Sequence, residues 1–215
     1  MATEYRIVGP PGTGKTQSLV RQVEAWAKQY GPEQFMLTSY TRGAAAVLKG
    51  RAAIPWENTQ TLHALAYRAI GAPPIAEVGD LRTAWNAATK VEAWRIGEKR
   101  TQDIEEGLEP SADSGSTFDL YNLACARLAP PDHYFWQQTR EFAHAWEGFK
   151  RDNGAVDFAD MIGRALRDEP ACPGDPAVLI ADEAQDFVPA QWALIRKWGA
   201  APGVERFIVA GAPAQ

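Results

Sequence analysis

Gly9-Pro10-Pro11-Gly12-Thr13-Gly14-Lys15-Thr16 decides the reading of this chain. The eight residues fit G-x-x-x-x-G-K-[ST], the spacing of a loop that cradles phosphate. Glycines let the backbone curl into a concave nest whose N–H groups converge on phosphate oxygens. A helix starting near Lys15 brings the positive end of its dipole to the same point. In this chemistry the Lys15 ammonium reaches the β- and γ-phosphates of a nucleoside triphosphate, and the Thr16 hydroxyl holds Mg²⁺. Gly9, Pro10, Pro11, Gly12, Thr13, Gly14, Lys15 and Thr16 are therefore the candidate nucleotide-binding residues.

The flanks supply the context that such a loop needs, a strand before it and a helix after it. Tyr5-Arg6-Ile7-Val8 reads as a short strand. Across 15–29, Leu19, Val20, Val23, Trp26 and Ala27 recur at steps of three and four, an amphipathic helix that Gly31-Pro32 stops. The catalytic carboxylate has to come from elsewhere. Ala177-Val178-Leu179-Ile180-Ala181 is an apolar run bounded by Pro176, the pattern of a buried parallel strand. It ends in Asp182-Glu183-Ala184-Gln185-Asp186. Acids at the carboxyl end of such a strand lie where Mg²⁺ and the attacking water belong. Asp182 is the candidate metal residue beside Thr16, and Glu183 the group that orients or deprotonates water.

The chain has 215 residues, 46% apolar and 23% charged, which suits one large domain or one domain with an insertion. No apolar run approaches the roughly 20 residues that span a membrane, and no basic stretch precedes an apolar one at the start. Cys125 and Cys172 are far apart and give neither metal spacing nor a disulfide framework. A reducing cytoplasm is the expected compartment. The net charge of −5 argues against a broad electrostatic grip on nucleic acid and leaves room for a local strip.

Further along, Phe35-Met36-Leu37-Thr38-Ser39 reads as a second strand, 43–52 as an alanine-rich helix, and Thr61 to Ile70 as a short helix broken by Gly71-Ala72-Pro73-Pro74. From about 75 to 150 the character changes to tryptophan-rich helical patterns, such as Leu81, Trp85, Ala88 and Phe142, Trp146, Phe149, with a polar loop over 101–117. Most of the eight tryptophans are expected to pack helices. Strand signals resume at Val178 and at Arg206-Phe207-Ile208-Val209-Ala210. The expected fold is α/β, a parallel sheet flanked by helices: 1–74 and 151–215 form the core and 75–150 a helical insertion.

Taken in order, these segments resemble the N-terminal RecA-like ATPase domain of superfamily 1 DNA helicases of the UvrD/Rep/PcrA type. The loop at 9–16 is similar to motif I. Thr38-Ser39-Tyr40-Thr41-Arg42-Gly43-Ala44-Ala45 resembles motif Ia, and Thr59-Gln60-Thr61-Leu62-His63-Ala64 resembles motif Ib. Val156-Asp157-Phe158-Ala159-Asp160-Met161 is similar to the D-F-x-D-L segment. Leu179 to Asp186 resembles motif II, and Gly211-Ala212-Pro213-Ala214-Gln215 the start of motif III. The resemblance implies ATP and Mg²⁺ as cofactors and single-stranded DNA as partner. It implies that Tyr40 presents a ring to a base, that Thr41, Arg42, Thr61 and His63 contact the strand, and that Gln215 senses the γ-phosphate. For Asp157 and Asp160 a second reading stands beside it: two acids capping a helix over Met161, Ile162 and Leu166.

Three departures shape the expected activity. No adenine-reading glutamine precedes Gly9, Ala212 stands where motif III has Asp, and the arginines of a second RecA-like domain are not among these residues. An arginine finger is worth about 10³–10⁵ in turnover. The expectation is slow, non-processive ATP hydrolysis stimulated by single-stranded DNA, with a second polypeptide supplying the other RecA-like half. The alternatives are a nucleotide-switched module that binds DNA or a partner with little turnover, and a component of a helicase–nuclease system.

Overall fold

The computed structural model describes residues 2–10, 12–39, 54–97 and 116–212. Five strands are seen there: β1 (Thr3–Val8), β2 (Phe35–Ser39), β3 (Thr59–Thr61), β4 (Val178–Asp182) and β5 (Arg206–Gly211). They form one sheet in the order β1-β5-β4-β2-β3, with every neighbouring pair parallel. A parallel sheet must be covered on both faces, and alternation along the strands delivers this. Phe35, Leu37, Val178, Ile180, Ile208 and Ala210 face one side, where Leu19, Val20 and Val23 of α1 (Lys15–Trp26) pack on them. Met36, Leu179, Ala181, Phe207 and Val209 face the other. Three helices cover that side: α2 (Leu62–Ala69), α6 (Phe158–Asp168) and α7 (Pro189–Gly199).

The remaining helices are α3 (Gly79–Ala88), α4 (Thr117–Ala126) and α5 (Tyr134–Asp152). They share a third apolar cluster built on Trp85, Phe118, Tyr121, Phe142 and Trp146. Rings meet edge to face, as at Trp85–Trp146, where the centroids are 4.9 Å apart; this is the geometry that ring quadrupoles favour. The chain leaves and rejoins the sheet layer at one place. Ala76 N donates to Val156 O and Val156 N to Pro74 O, both at 2.8 Å. Trp85, Trp146 and Trp198 are buried, in keeping with a packing role.

Element boundaries differ from the sequence reading in instructive ways. α1 stops at Trp26, and Pro32 opens a short 3₁₀ turn rather than ending the helix itself. β3 was not legible: Thr59-Gln60-Thr61 is too short to show alternation and exists because its backbone pairs with Leu37, Thr38 and Ser39. Thr61 then caps α2 instead of lying inside it. β4 runs one residue further than the apolar run, so that Asp182 is its last residue. The helix read over 43–52 and most of the loop read over 101–117 lie outside the described residues; α4 itself begins at Thr117.

Candidate nucleotide-binding and hydrolysis site

The loop between β1 and α1 has the curl that its glycines allow. Gly12 and Gly14 sit at φ +79° and +81°, where a side chain would be strained. Thr13 closes the turn: its Oγ1 donates to Pro10 O at 2.7 Å. Lys15 folds back across the loop, its Nζ donating to Gly9 O at 2.8 Å and Pro10 O at 3.2 Å. Gly14 caps α1 without a side-chain hydrogen bond, and the first turn holds no acid. The amides at this helix start thus remain open to an outside anion. Thr16 lies half-buried in the same turn.

β1 and β4 are not neighbours; β5 runs between them. Two strand spacings separate them, about 10 Å. All three strands end at the same edge because they are parallel, and Gly9 N donates to Gly211 O at 3.3 Å where β5 ends. The loop and the acids therefore share one edge of the sheet. Burial is the largest influence on the Asp182 carboxyl, and the Lys15 charge opposes it by pulling that carboxyl down. Burial outweighs it and pushes that carboxyl up to about 6. The Glu183 N–H also holds it down, and the Glu183 carboxylate pushes it up. A carboxyl buried to 3% exposure with its charge only partly offset suits a divalent cation. Among the described residues no three or more His, Cys, Asp or Glu gather into a metal cage.

Glu183 leaves the strand in the left-handed region, at φ 49°. That conformation costs a non-glycine residue about 1–2 kcal/mol, and it turns the chain sharply into the 3₁₀ turn Ala184–Asp186. Gln185 ties this turn together. Its Nε2 donates to Glu183 Oε2 at 2.8 Å and Asp186 Oδ2 at 3.1 Å, and its Oε1 accepts from Ala212 N at 2.8 Å. The glutamine thus links the candidate base to the segment after β5. Glycine is needed at 211 for this approach, since a Cβ there would stand 2.7 Å from Gln185 Oε1.

Ser39 is a second residue to which spacing assigned no role. It pairs in register with Asp182 and is fully buried, and its Oγ has no hydrogen-bond partner among the described residues. Both residues fall inside motif runs; what spacing could not convey is that Gln185 turns back on Glu183 and that Ser39 flanks Asp182.

The other candidates are distributed differently. Thr61 is 3% exposed and its hydroxyl accepts from Ala64 N, so it is engaged in starting α2. His63, in the first turn of α2, is half-buried with its ring 6.2 Å from that of Phe158. Asp157 and Asp160 form a reciprocal capping box on α6, the second of the two readings above. They also surround Lys150, whose Nζ lies 2.7 Å from Asp157 Oδ2 and from Asp160 Oδ2. Pro11, Tyr40, Thr41, Arg42 and Gln215 lie outside the described residues.

Against known families, residues 2–215 match an AAA domain family, of the kind found in UvrD/Rep-like helicases. The chain belongs to that family. It is a P-loop, helicase-like domain, and the fold of a five-stranded parallel sheet flanked by helices is that of a RecA-like AAA domain. Nucleotide hydrolysis of the helicase type is the activity to which the family points. No curated protein matches the chain. No described helix is long and apolar enough to cross a membrane.

Proposed function

We propose that this domain is the ATP-hydrolysing motor of a superfamily 1 DNA helicase, Mg²⁺-dependent and stimulated by single-stranded DNA. The observation that carries the reading is the placement of Lys15 and Asp182 on one sheet edge, where the Lys15 charge acts on the Asp182 carboxyl. The amides of 12–16 and the Lys15 ammonium would hold the triphosphate. Thr16 and Asp182 would hold Mg²⁺, which when bound neutralises charge developing on the phosphate oxygens. Glu183 would take a proton from water, its carboxylate oriented by the hydrogen bond from Gln185 to Oε2. We assign strand contact to His63, with Thr61 positioning its helix, and to Tyr40, Thr41 and Arg42. Gln215 is assigned to sensing the γ-phosphate. The helical layer at 75–150 is read as a subdomain inserted into the core, and cytoplasm as the compartment.

Phosphate release with and without single-stranded DNA tests the proposal. Lys15→Ala should lose nucleotide binding, and Glu183→Gln should bind nucleotide but turn it over at least about 10²-fold more slowly, the scale of general-base loss. Turnover unchanged in both variants would refute these roles.

A further inference from the structure

Between α2, α4, α5, α6 and the start of α7 lies a cavity of about 590 Å³ that the hydrolysis mechanism does not use. This volume falls in the range of small-ligand sites. One buried acceptor in its lining is unmet. Asn122 is 8% exposed, and its Oδ1 has no hydrogen-bond partner among the described residues. The carboxylates of Glu147 and Asp160 border the same space and are already met, Glu147 by Tyr121 Oη and both by Lys150 Nζ. An unsatisfied buried acceptor is costly, so a donor is the group that this cavity would gain most from. Flat side chains complete the wall: His63, Trp136 and Phe158. Arg164 and Arg167, one turn apart on α6, add cationic groups to the lining. Arg167 is exposed, and Asp168 holds it at the surface by two hydrogen bonds of 3.0 Å.

A ligand matching these features is planar, presents an amine inward and carries an anion outward. Cytosine and adenine have that amine; thymine and uracil carry a carbonyl in its place. We propose that the cavity receives one unstacked, amine-bearing base of a single-stranded nucleic acid, with Asn122 accepting from the amine and Arg164 and Arg167 meeting the flanking phosphate. This extends the proposed function and rests on its nucleic-acid part. The placement also gives the strand a route to the chemistry. Val188 and Gln191 line the cavity and follow the acidic turn directly through buried Phe187, and Gln191 Oε1 accepts from Val188 N at 3.0 Å. A base seated there bears on the segment that carries Glu183.

Gly163 provides the test. It lines the cavity on α6, and a Cβ added there meets nothing within 4 Å. Gly163→Leu therefore fills the space from a helix interior, where losing glycine favours folding. Binding of short fluorescent oligodeoxycytidine and oligodeoxyuridine should be compared by anisotropy, with free deoxycytidine monophosphate as competitor. The wild-type chain should prefer oligodeoxycytidine about tenfold, the scale of one unsatisfied buried polar group. Gly163→Leu and Asn122→Leu should each abolish the preference while DNA-independent phosphate release and melting temperature hold. The free nucleotide should not displace the strand. Equal affinity for the two oligonucleotides, or a preference that survives both variants, overturns this inference alone. Displacement by the free nucleotide at strand-like concentrations overturns the strand as the source. Failure of every oligonucleotide to bind overturns it together with the nucleic-acid part of the proposed function.

Discussion

Lys150→Met should destabilise the domain by about 3 kcal/mol, the lower end of the roughly 3–5 kcal/mol lost when one partner of a buried ion pair is removed. Lys150 and Asp157 are both fully buried, with Nζ 2.7 Å from Asp157 Oδ2 and from Asp160 Oδ2. Methionine fills similar space and leaves Asp157 without its cation, while Asp160 keeps only Arg164 at 3.6 Å. The loss stays at the lower end because Asp157 keeps two donors, Trp146 Nε1 and Asp160 N, each at 2.7 Å. For a chain of this size 1 kcal/mol is worth about 2–4 °C, so the melting temperature should fall by about 6–12 °C. Circular dichroism melts from acid to alkaline pH are the assay. Burial opposes the Lys150 charge, but Asp157, Asp160 and Glu147 outweigh it and hold its pKa above the usual 10.5. A raised lysine stabilises fully below its unfolded value and loses that contribution as pH climbs above it. Burial, and then Asp157, already push the Asp160 carboxyl up, and losing Lys150 would push it further. A raised carboxyl stabilises in acid and loses that contribution as pH rises through its folded value. The gap between wild type and variant should therefore be widest near neutrality. It should narrow in acid as Asp160 protonates, and narrow again above about pH 10.5, where a lysine of the unfolded chain discharges while folded Lys150 keeps its proton to a higher pH. Tyr121, whose hydroxyl accepts from Lys150 at 3.1 Å, and Arg164, 3.6 Å from Asp160, complete the charged surroundings. A variant melting within about 2 °C of wild type at neutral pH, with the same pH profile, would refute the reasoning.

Gln185→Glu should slow phosphate release about 10–100-fold with little change in KM. It removes a donor to two carboxylates and sets a third beside them. Gln185→Ala, which removes the link without adding charge, should be milder, and the reverse order would contradict the positioning role. Gly199→Ala should lower stability by about 1–3 kcal/mol, because its Cβ would stand 2.7–2.9 Å from three ring carbons of Phe207. A urea midpoint equal to wild type would show that the sheet and α7 have room to part.

What could be read from residues alone was whatever local spacing encodes. The phosphate loop is legible because curl, amides and lysine all lie within eight consecutive residues. β2, β4 and β5 are legible because strands buried on both faces are continuous apolar runs. β1 was visible only in its last four residues, Tyr5 to Val8. It lies at the edge of the sheet, and the missed residues Thr3 and Glu4 are exposed, so nothing forces them to be apolar. β3 was invisible, since three residues cannot display a period. Lys150 gave no sign of its role. A lysine in a helix is ordinarily a solvated one, and only the convergence of α4, α5 and α6 surrounds it with Tyr121, Asp157 and Asp160.

The sequence by itself determined that a phosphate cradle opens the chain and that a carboxylate ends a buried strand far along it. Both follow from residue type and short-range period. Tertiary structure alone decided that β5 passes between those two strands, that Gln185 bridges Glu183 to Ala212, and that Asn122 borders a cavity with its acceptor unmet. Strand order and side-chain convergence join residues remote in sequence. They are set by how the two sheet faces and the aromatic layer bury one another, which no local pattern records.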